Sequence, residues 1–188
     1  MNDPRSAPGR GNEADEIEIE VEIYLNGVRQ SRVVPSDRLL IHLLRDDLGA
    51  IGTKEGCSVG VCGACSVLVD GVLLSSCLVF AARVDGCHVQ TVEGLESEAK
   101  LSLLQSSFIE HGGLQCGYCT PGQLVAATAL LSETSQPSDR EIAAFMKGNL
   151  CRCTGYFGIA RAIRSASGLP PEVEGVRRAF RPDGADTP

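Results

Sequence analysis

The sequence predicts an α+β protein in two parts, a sheet-forming first half and a helical second half. Early in the chain, apolar residues alternate with polar ones around Asn-Gly and Asp-Gly turns, whereas later they recur at helical spacing between capping signals. Hydrophobic residues make up 43% of the 188-residue chain, but aromatic residues only 4%. We therefore expect aliphatic cores, with bound metal as a further source of stability.

The first half opens with a predicted hairpin and helix. Residues 16–23 alternate Glu with Ile or Val, which predicts a half-buried strand. The Asn-Gly pair at 26–27 predicts a turn, after which residues 29–34 return as a second strand. Ser36 then has the right chemistry to cap a helix over residues 37–47.

A glycine-punctuated loop over residues 52–65 separates this helix from a second hairpin. The hairpin strands are predicted at residues 66–69 and 72–75, and a last strand at residues 88–92. Two hairpins, one helix and a long loop together predict a small α+β domain that spans residues 16–93.

The second half, residues 94–168, predicts four short helices. Ser138 and Glu141 form a capping box, and Thr120 with Pro121 resembles an N-cap followed by proline at the first helical position. Short connections favour an antiparallel four-helix bundle. The predicted helices cover residues 101–111, 121–132, 139–147 and 157–167.

Charge and the flanking segments restrict the functional classes. The net charge of -7 argues against a nucleic-acid partner. Residues 1–15 are expected to be a disordered leader and residues 169–188 a flexible tail. No secretion signal and no run long enough to cross a bilayer is visible, so we expect a cytoplasmic protein without a transmembrane segment. In that reducing compartment, grouped cysteines favour metal ligands over disulfides.

Four cysteines form a first group in and after the glycine-rich loop. Their opening spacing, four residues and then two, is the plant-type ferredoxin signature of a 2Fe-2S cluster. Gly56, Gly60 and Gly63 permit backbone turns that direct N–H groups at sulfur. A structural zinc site is the alternative, and disulfides are disfavoured. The group consists of Cys57, Cys62, Cys65 and Cys77.

A second group pairs a Cys-x-x-Cys with a later Cys-x-Cys, each at the start of a predicted helix. Thiolates are favoured there by the free N–H groups of the first turn. Zinc remains an alternative, whereas a thioredoxin-like pair lacks the βαβ pattern it needs. Cys87 belongs to neither group and is expected to be a free, partly buried thiol. The second group consists of Cys116, Cys119, Cys151 and Cys153.

Four motifs in this order resemble the small iron-sulfur subunit of the molybdenum hydroxylases, the family of xanthine dehydrogenase and aldehyde oxidoreductase. The resemblance covers about residues 16–168 and fills all eight ligand positions. The motifs are Gly-Thr-Lys-Glu-Gly-Cys at 52–57, Cys-Gly-Ala-Cys at 62–65, Gln-Cys-Gly-Tyr-Cys-Thr-Pro-Gly at 115–122 and Asn-Leu-Cys-Arg-Cys-Thr-Gly-Tyr at 149–156.

The resemblance implies a plant-ferredoxin-like (β-grasp) domain followed by a four-helix domain, each with one 2Fe-2S cluster. It also implies a large partner subunit whose molybdenum-pterin cofactor contacts Gln115 and Cys153, and an FAD-binding medium subunit. Electrons would pass from molybdenum through the second and then the first cluster to FAD or another acceptor. Ser58 departs from the Asp that many relatives carry, which leaves the first cluster's potential undetermined.

The expected activity is therefore that of an electron-transfer subunit, with no catalytic residue of its own and no turnover alone. The whole enzyme would hydroxylate an aldehyde or an N-heteroaromatic compound. Two alternatives remain, a non-redox interaction module with two structural zinc sites and a freestanding two-cluster ferredoxin.

Overall fold

The computed structural model describes residues 17–96 and 101–172 of the chain. Within them, five strands form one mixed sheet in the order β2-β1-β5-β3-β4. β1 runs antiparallel to β2 and parallel to β5, and β3 runs antiparallel to β4 and β5. The strands are β1 (Glu18–Leu25), β2 (Val28–Pro35), β3 (Ser66–Val69), β4 (Val72–Ser75) and β5 (His88–Gln90).

Both predicted hairpins are confirmed. Asn26 and Gly27 have φ angles of 51° and 83°, and Asp70 and Gly71 have 47° and 82°. Two positive φ angles in succession are what a tight two-residue hairpin requires, and Asn, Asp and Gly adopt them most readily. β5 is shorter than predicted because a 3₁₀ turn begins at Val92, and Thr91 donates its N–H to Asn26 Oδ1 at 2.9 Å.

The helix predicted over residues 37–47 begins later, at α1 (Leu40–His42), and continues as a π-helical turn through Asp47. Ser36 does not cap it, so that prediction was wrong. The residue before α1, Leu39, is extended and forms a β-bridge with Phe80. Because Arg38 and Leu39 pair with the chain around residue 80, they cannot also be helical.

The four predicted helices are present with slightly different ends. Ser102 and Ser138 each make a capping box, the latter as predicted. Thr120 is not the N-cap of its helix. Cys119 holds that place, without a side-chain capping bond, and Pro121 lies one residue further into the first turn. The helices are α2 (Leu103–Glu110), α3 (Thr120–Glu133), α4 (Asp139–Met146) and α5 (Tyr156–Ala166).

The sheet is covered on both faces. Val67 and Val69 of β3 pack with α1, whereas the intervening Leu68 packs with Val125 and Ala129 of α3. All four residues of β3 are buried, which is typical of a strand that is covered on both faces.

The four helices share one core that also contacts the sheet half. Phe108, Leu130, Ile142 and Ile163 bring one buried side chain from each of α2, α3, α4 and α5, and Leu73 of β4 packs against this cluster. The two halves are therefore continuous through their cores.

The predicted leader lies outside the described residues, as does the tail beyond Glu172. The first tail residues that are described lie against α5, where Arg164 Nε donates to Pro170 O at 2.7 Å. No helix in the described ranges is long and apolar enough to cross a membrane.

Candidate iron-sulfur sites

The first cysteine group lies where the glycine-rich loop meets the second hairpin. Cys65 and Cys77 are buried with Ile41 of α1, whereas Cys57 and Cys62 are partly exposed. Ser76 ties the two parts of the group together, because its N–H and its hydroxyl both donate to Cys65 O, at 3.2 and 2.8 Å. The fold thus brings together four cysteines that the sequence spreads over two segments.

Backbone N–H groups converge on the sulfur atoms of this group. The amides of Val61 and Cys62 both donate to Cys57 Sγ at 3.4 Å. Hydrogen bonds lower the pKa of the Cys57 thiol to about 6, and the bond from the Val59 amide has the largest effect. Burial, followed by contact with Cys65, raises the pKa of Cys77 to about 11. Cys57 therefore favours thiolate before any metal binds, and Cys77 does not.

Two glycines in the loop have no room for a side chain. Gly60 has a φ of +74°, and a Cβ there would lie 2.2 Å from Leu78 Cδ1. A Cβ at Gly56 would lie 2.9 Å from Cys62 Sγ. A side chain at this position would thus enter the space beside the sulfur that a cluster needs.

The second cysteine group lies at the N-terminal ends of α3 and α5. Cys116 and Cys119 come directly before α3, and Cys151 and Cys153 lie in the loop that leads into α5. Gly155 N–H, at the start of α5, donates to Cys151 Sγ at 3.3 Å. The predicted location at helix starts is confirmed, and these backbone donors suit bound thiolate.

This group also has an exposed and a buried edge. The Tyr118 amide and the thiol of Cys153 lower the pKa of the exposed Cys116. Burial, followed by contact with Cys151, raises the pKa of Cys119 to about 12. Cys116 thus pairs with Cys153 near the surface, and Cys119 pairs with Cys151 inside.

In both groups the sulfurs contact each other as two pairs, which in the first group are Cys57 with Cys62 and Cys65 with Cys77. A four-cysteine zinc site needs all its sulfurs about 2.3 Å from a single ion. A 2Fe-2S cluster instead spreads four thiolates over two irons. The paired donors suit the two-iron cluster better.

The two groups are directly connected. Leu150, the residue before Cys151, donates its N–H to Cys62 O at 2.9 Å, and Tyr118 Oη donates to Glu55 O at 2.6 Å. A cavity of about 350 Å³ between them is lined by residues of both groups. These include Cys62, Cys116, Cys119, Cys151, Tyr118 and Arg152.

Gln115 and Cys153, both expected to contact a pterin, lie together. Gln115 is exposed, and its Nε2 donates to Cys153 O at 3.1 Å.

Cys87 lies apart from both groups, where burial and contact with Asp70 raise the pKa of its thiol. None of the nine cysteines forms a disulfide.

Sequence reasoning missed the polar residues that join the two groups. Asn149 and Gln123 are 4% and 1% exposed. Asn149 hydrogen-bonds across the junction to Gly63 O, and Gln123 donates to Asn149 O. Asn149 is part of a motif, but neither residue has a spacing or charge pattern that predicts burial. Their role at the junction is visible only in the folded structure, where both side chains are buried among backbone carbonyls.

The comparisons with known proteins agree with this geometry. The 2Fe-2S binding domain family matches residues 91–164. The nicotinate dehydrogenase small FeS subunit of Eubacterium barkeri is 46% identical over 148 residues, which are 79% of this chain and 94% of that protein. The xanthine dehydrogenase iron-sulfur-binding subunit of Escherichia coli O157:H7 is 43% identical over 148 residues, 77% of this chain and 92% of that protein.

The quinoline 2-oxidoreductase structure from Pseudomonas putida 86 has a chain with the same fold. It is 42% identical, with a TM-score of 0.75, and the match covers 86% of this chain and 97% of that one. The fold and cysteine sites define the class of iron-sulfur subunits of oxidoreductases. Within that class, the chain belongs to the small iron-sulfur subunits of the molybdenum hydroxylase family.

Proposed function

We propose that this subunit relays electrons from a molybdenum-pterin site on a large partner subunit to FAD or another acceptor. The second cysteine group receives them and passes them to the first. Each group holds one 2Fe-2S cluster, which accepts and releases single electrons when bound. The chain supplies the thiolates, the surrounding amides and the connection between the two sites, and it does not turn over substrate alone.

The observation that carries this proposal is the hydrogen bond between Leu150 N and Cys62 O, at 2.9 Å. Leu150 is bonded to Cys151 of the second group, and Cys62 belongs to the first. The route from Cys151 to Cys62 is thus covalent except for this one hydrogen bond. A protein with two unrelated structural metal sites has no need of such a route.

The exposed edge of the second group supports docking to the large subunit. Cys116 and Gln115 are exposed beside Cys153, so a pterin on a partner can approach this edge without rearrangement of the chain. Gln115 is the proposed donor to the pterin, through the Nε2 group that contacts Cys153 O in the free chain. The first group then faces a separate, FAD-binding medium subunit.

Each of two domains in the chain carries one cluster. Residues 16–93 form the plant-ferredoxin-like (β-grasp) domain with the first cluster, and residues 94–168 form the four-helix domain with the second. The substrate is an aldehyde or an N-heteroaromatic compound, and the second is favoured by relatives named for nicotinate and quinoline. We place the assembly in the cytoplasm, where thiols stay reduced.

The test is electron paramagnetic resonance on the dithionite-reduced protein, with iron and zinc quantified in the same sample. Two distinguishable 2Fe-2S signals and about four irons per chain are expected from eight cysteine ligands. Zinc without a paramagnetic signal would instead establish the alternative, an interaction module with two structural zinc sites.

A further inference from the structure

We infer that Asn149 is a positioning residue that holds the two cysteine groups at the separation electron transfer between them requires. This inference rests on the proposed relay. Asn149 is only 4% exposed and lies two residues before Cys151. Its side chain makes no contact with sulfur in the hydrogen bonds of the described residues, so its effect must pass through the backbone it binds.

The side-chain amide of Asn149 reaches into the loop of the first group. Nδ2 donates to Gly63 O at 2.9 Å and contacts Ser66 Oγ at 3.3 Å. Ser66 Oγ donates in turn to Gly63 O at 2.8 Å. The Ser66 N–H also donates to Gly63 O, at 3.2 Å. The Gly63 carbonyl therefore accepts three hydrogen bonds, one of which comes from the segment of the other cysteine group.

The Asn149 contact and the Leu150 contact act as one clamp. Leu150 N–H binds the carbonyl of Cys62, and the Asn149 amide binds the carbonyl of the next residue, Gly63. Two consecutive residues of one loop thus hold two consecutive carbonyls of the other. A single hydrogen bond would let the loops pivot, whereas two adjacent ones fix both distance and direction.

Gln123 extends the clamp to α3. Its Nε2 donates to Asn149 O at 2.7 Å, and its own N–H donates to Cys119 O at 3.0 Å. Gln123 is 1% exposed. Asn149 thus joins the loop of the first group to the helix start that carries Cys119.

The two backbones meet closely at this contact, which leaves no room for a side chain at residue 63. A Cβ on Gly63 would lie 2.3 Å from Gly148 O and 2.6 Å from Asn149 Nδ2. Without the amide, Gly63 O keeps its two bonds from Ser66, but the two loops lose a buried tie and water can enter between them. Electron tunnelling and magnetic coupling both fall steeply with separation, so a small shift is measurable in a folded chain.

The experiment uses the full chain with both clusters bound, as wild type and as Asn149→Ala. After reduction with dithionite, the splitting of the paramagnetic signals reports the magnetic interaction between the two clusters. We expect the variant to keep the wild-type iron content and both signals, with a measurably smaller splitting. A merely structural role would lower stability without this change.

Asn26→Ala is the matched control. Asn26 also ties distant segments through its side-chain amide, to Thr91, but it lies in the first hairpin, away from both cysteine groups. Its loss should lower stability and leave the splitting unchanged. If Asn149→Ala loses a cluster, Gln123→Met tests the same clamp, since it keeps the side chain's length and removes the donor to Asn149 O.

The outcomes separate the two proposals. Two clusters in the wild type with an unchanged splitting in a cluster-replete Asn149→Ala or Gln123→Met overturn the positioning role and leave the relay intact. A wild-type protein with zinc in place of iron overturns the relay, and the positioning role with it.

Discussion

The two cysteine groups are held by different kinds of structure. In the first, three ligands lie within one loop at residues 57–65, and Cys77 returns beside them through a hairpin. In the second, the two pairs stand at the starts of α3 and α5, with α4 between them in the chain. The first site is thus formed largely by local turns, whereas the second exists only when helices pack correctly.

The comparison also shows that the sites are not separate. Leu68 of the sheet packs on Val125 and Ala129 of α3, and Gly122 in the first turn of α3 lies against the backbone of Gly63. Whether each site can hold its cluster without the other is therefore a different question from whether the two halves need their contact to stay folded. Variants at the cysteine ligands test the first question, and variants at the junction test the second.

The largest effect is expected from Cys119→Ser. This change removes an inner ligand of the second group, so that cluster should be lost while the first stays. Iron should fall from about four to about two per chain, with one paramagnetic signal remaining. Cys87→Ser, outside both groups, is the control and should keep both signals. Loss of both signals in the Cys119 variant would mean that the first site depends on the second.

Gly122→Ala tests the junction itself. A Cβ there would lie 2.3 Å from Gly63 O, a backbone atom that no side-chain rotation can move. We expect a loss of about 1–3 kcal/mol in the free energy of unfolding, typical of overpacking, measured by urea titration.

Gly148→Ala is the control for the junction. Gly148 lies in the adjacent loop, but its Cβ would meet nothing within 4 Å and its φ is not positive. This variant should be neutral, or stabilising by about 0.4–1 kcal/mol through the unfolded chain. Equal losses in both variants would show that close backbone contact is not what joins the halves.

Ser138→Ala weakens the helical half at a distance from both sites. The Ser138 hydroxyl accepts from Glu141 N at 3.3 Å to cap α4. Its removal should cost about 1 kcal/mol in urea unfolding and leave both cluster signals unchanged. Ser132→Ala removes only a bond to Ala129 O within α3 and should be close to neutral. An equally large loss of stability in Ser132→Ala would argue against a capping effect at Ser138.

The smallest effect concerns pH. Hydrogen bonds from the Ser138 hydroxyl and amide hold the pKa of Glu141 below its ordinary value of 4.5. A lowered folded-state pKa stabilises the protein above the ordinary pKa, and that contribution is lost as the pH falls through the lowered value. The stability difference between wild type and Glu141→Ala should therefore be full at neutral pH and shrink in acid. A difference that grows on acidification would contradict the capping role.

The prediction of secondary structure succeeded where the signal was local. Both hairpins and all four later helices were predicted, because turn residues and capping boxes act within a few positions. The prediction was wrong at Ser36 because a distant contact delays the helix, and at Thr120 because the helix begins one residue earlier than predicted. The pairing of Leu39 with Phe80 delays α1, and Cys119 takes the N-cap of α3.

The sequence by itself determined the eight candidate ligands, their two groups and the family, since these depend on spacing and residue type along the chain. Only the tertiary structure decided which cysteine faces the surface, which is buried and how the groups are joined. Those properties arise from contacts between residues far apart in sequence, such as Asn149 with Gly63 and Leu150 with Cys62. Burial and hydrogen bonding of this kind exist only after the chain has packed.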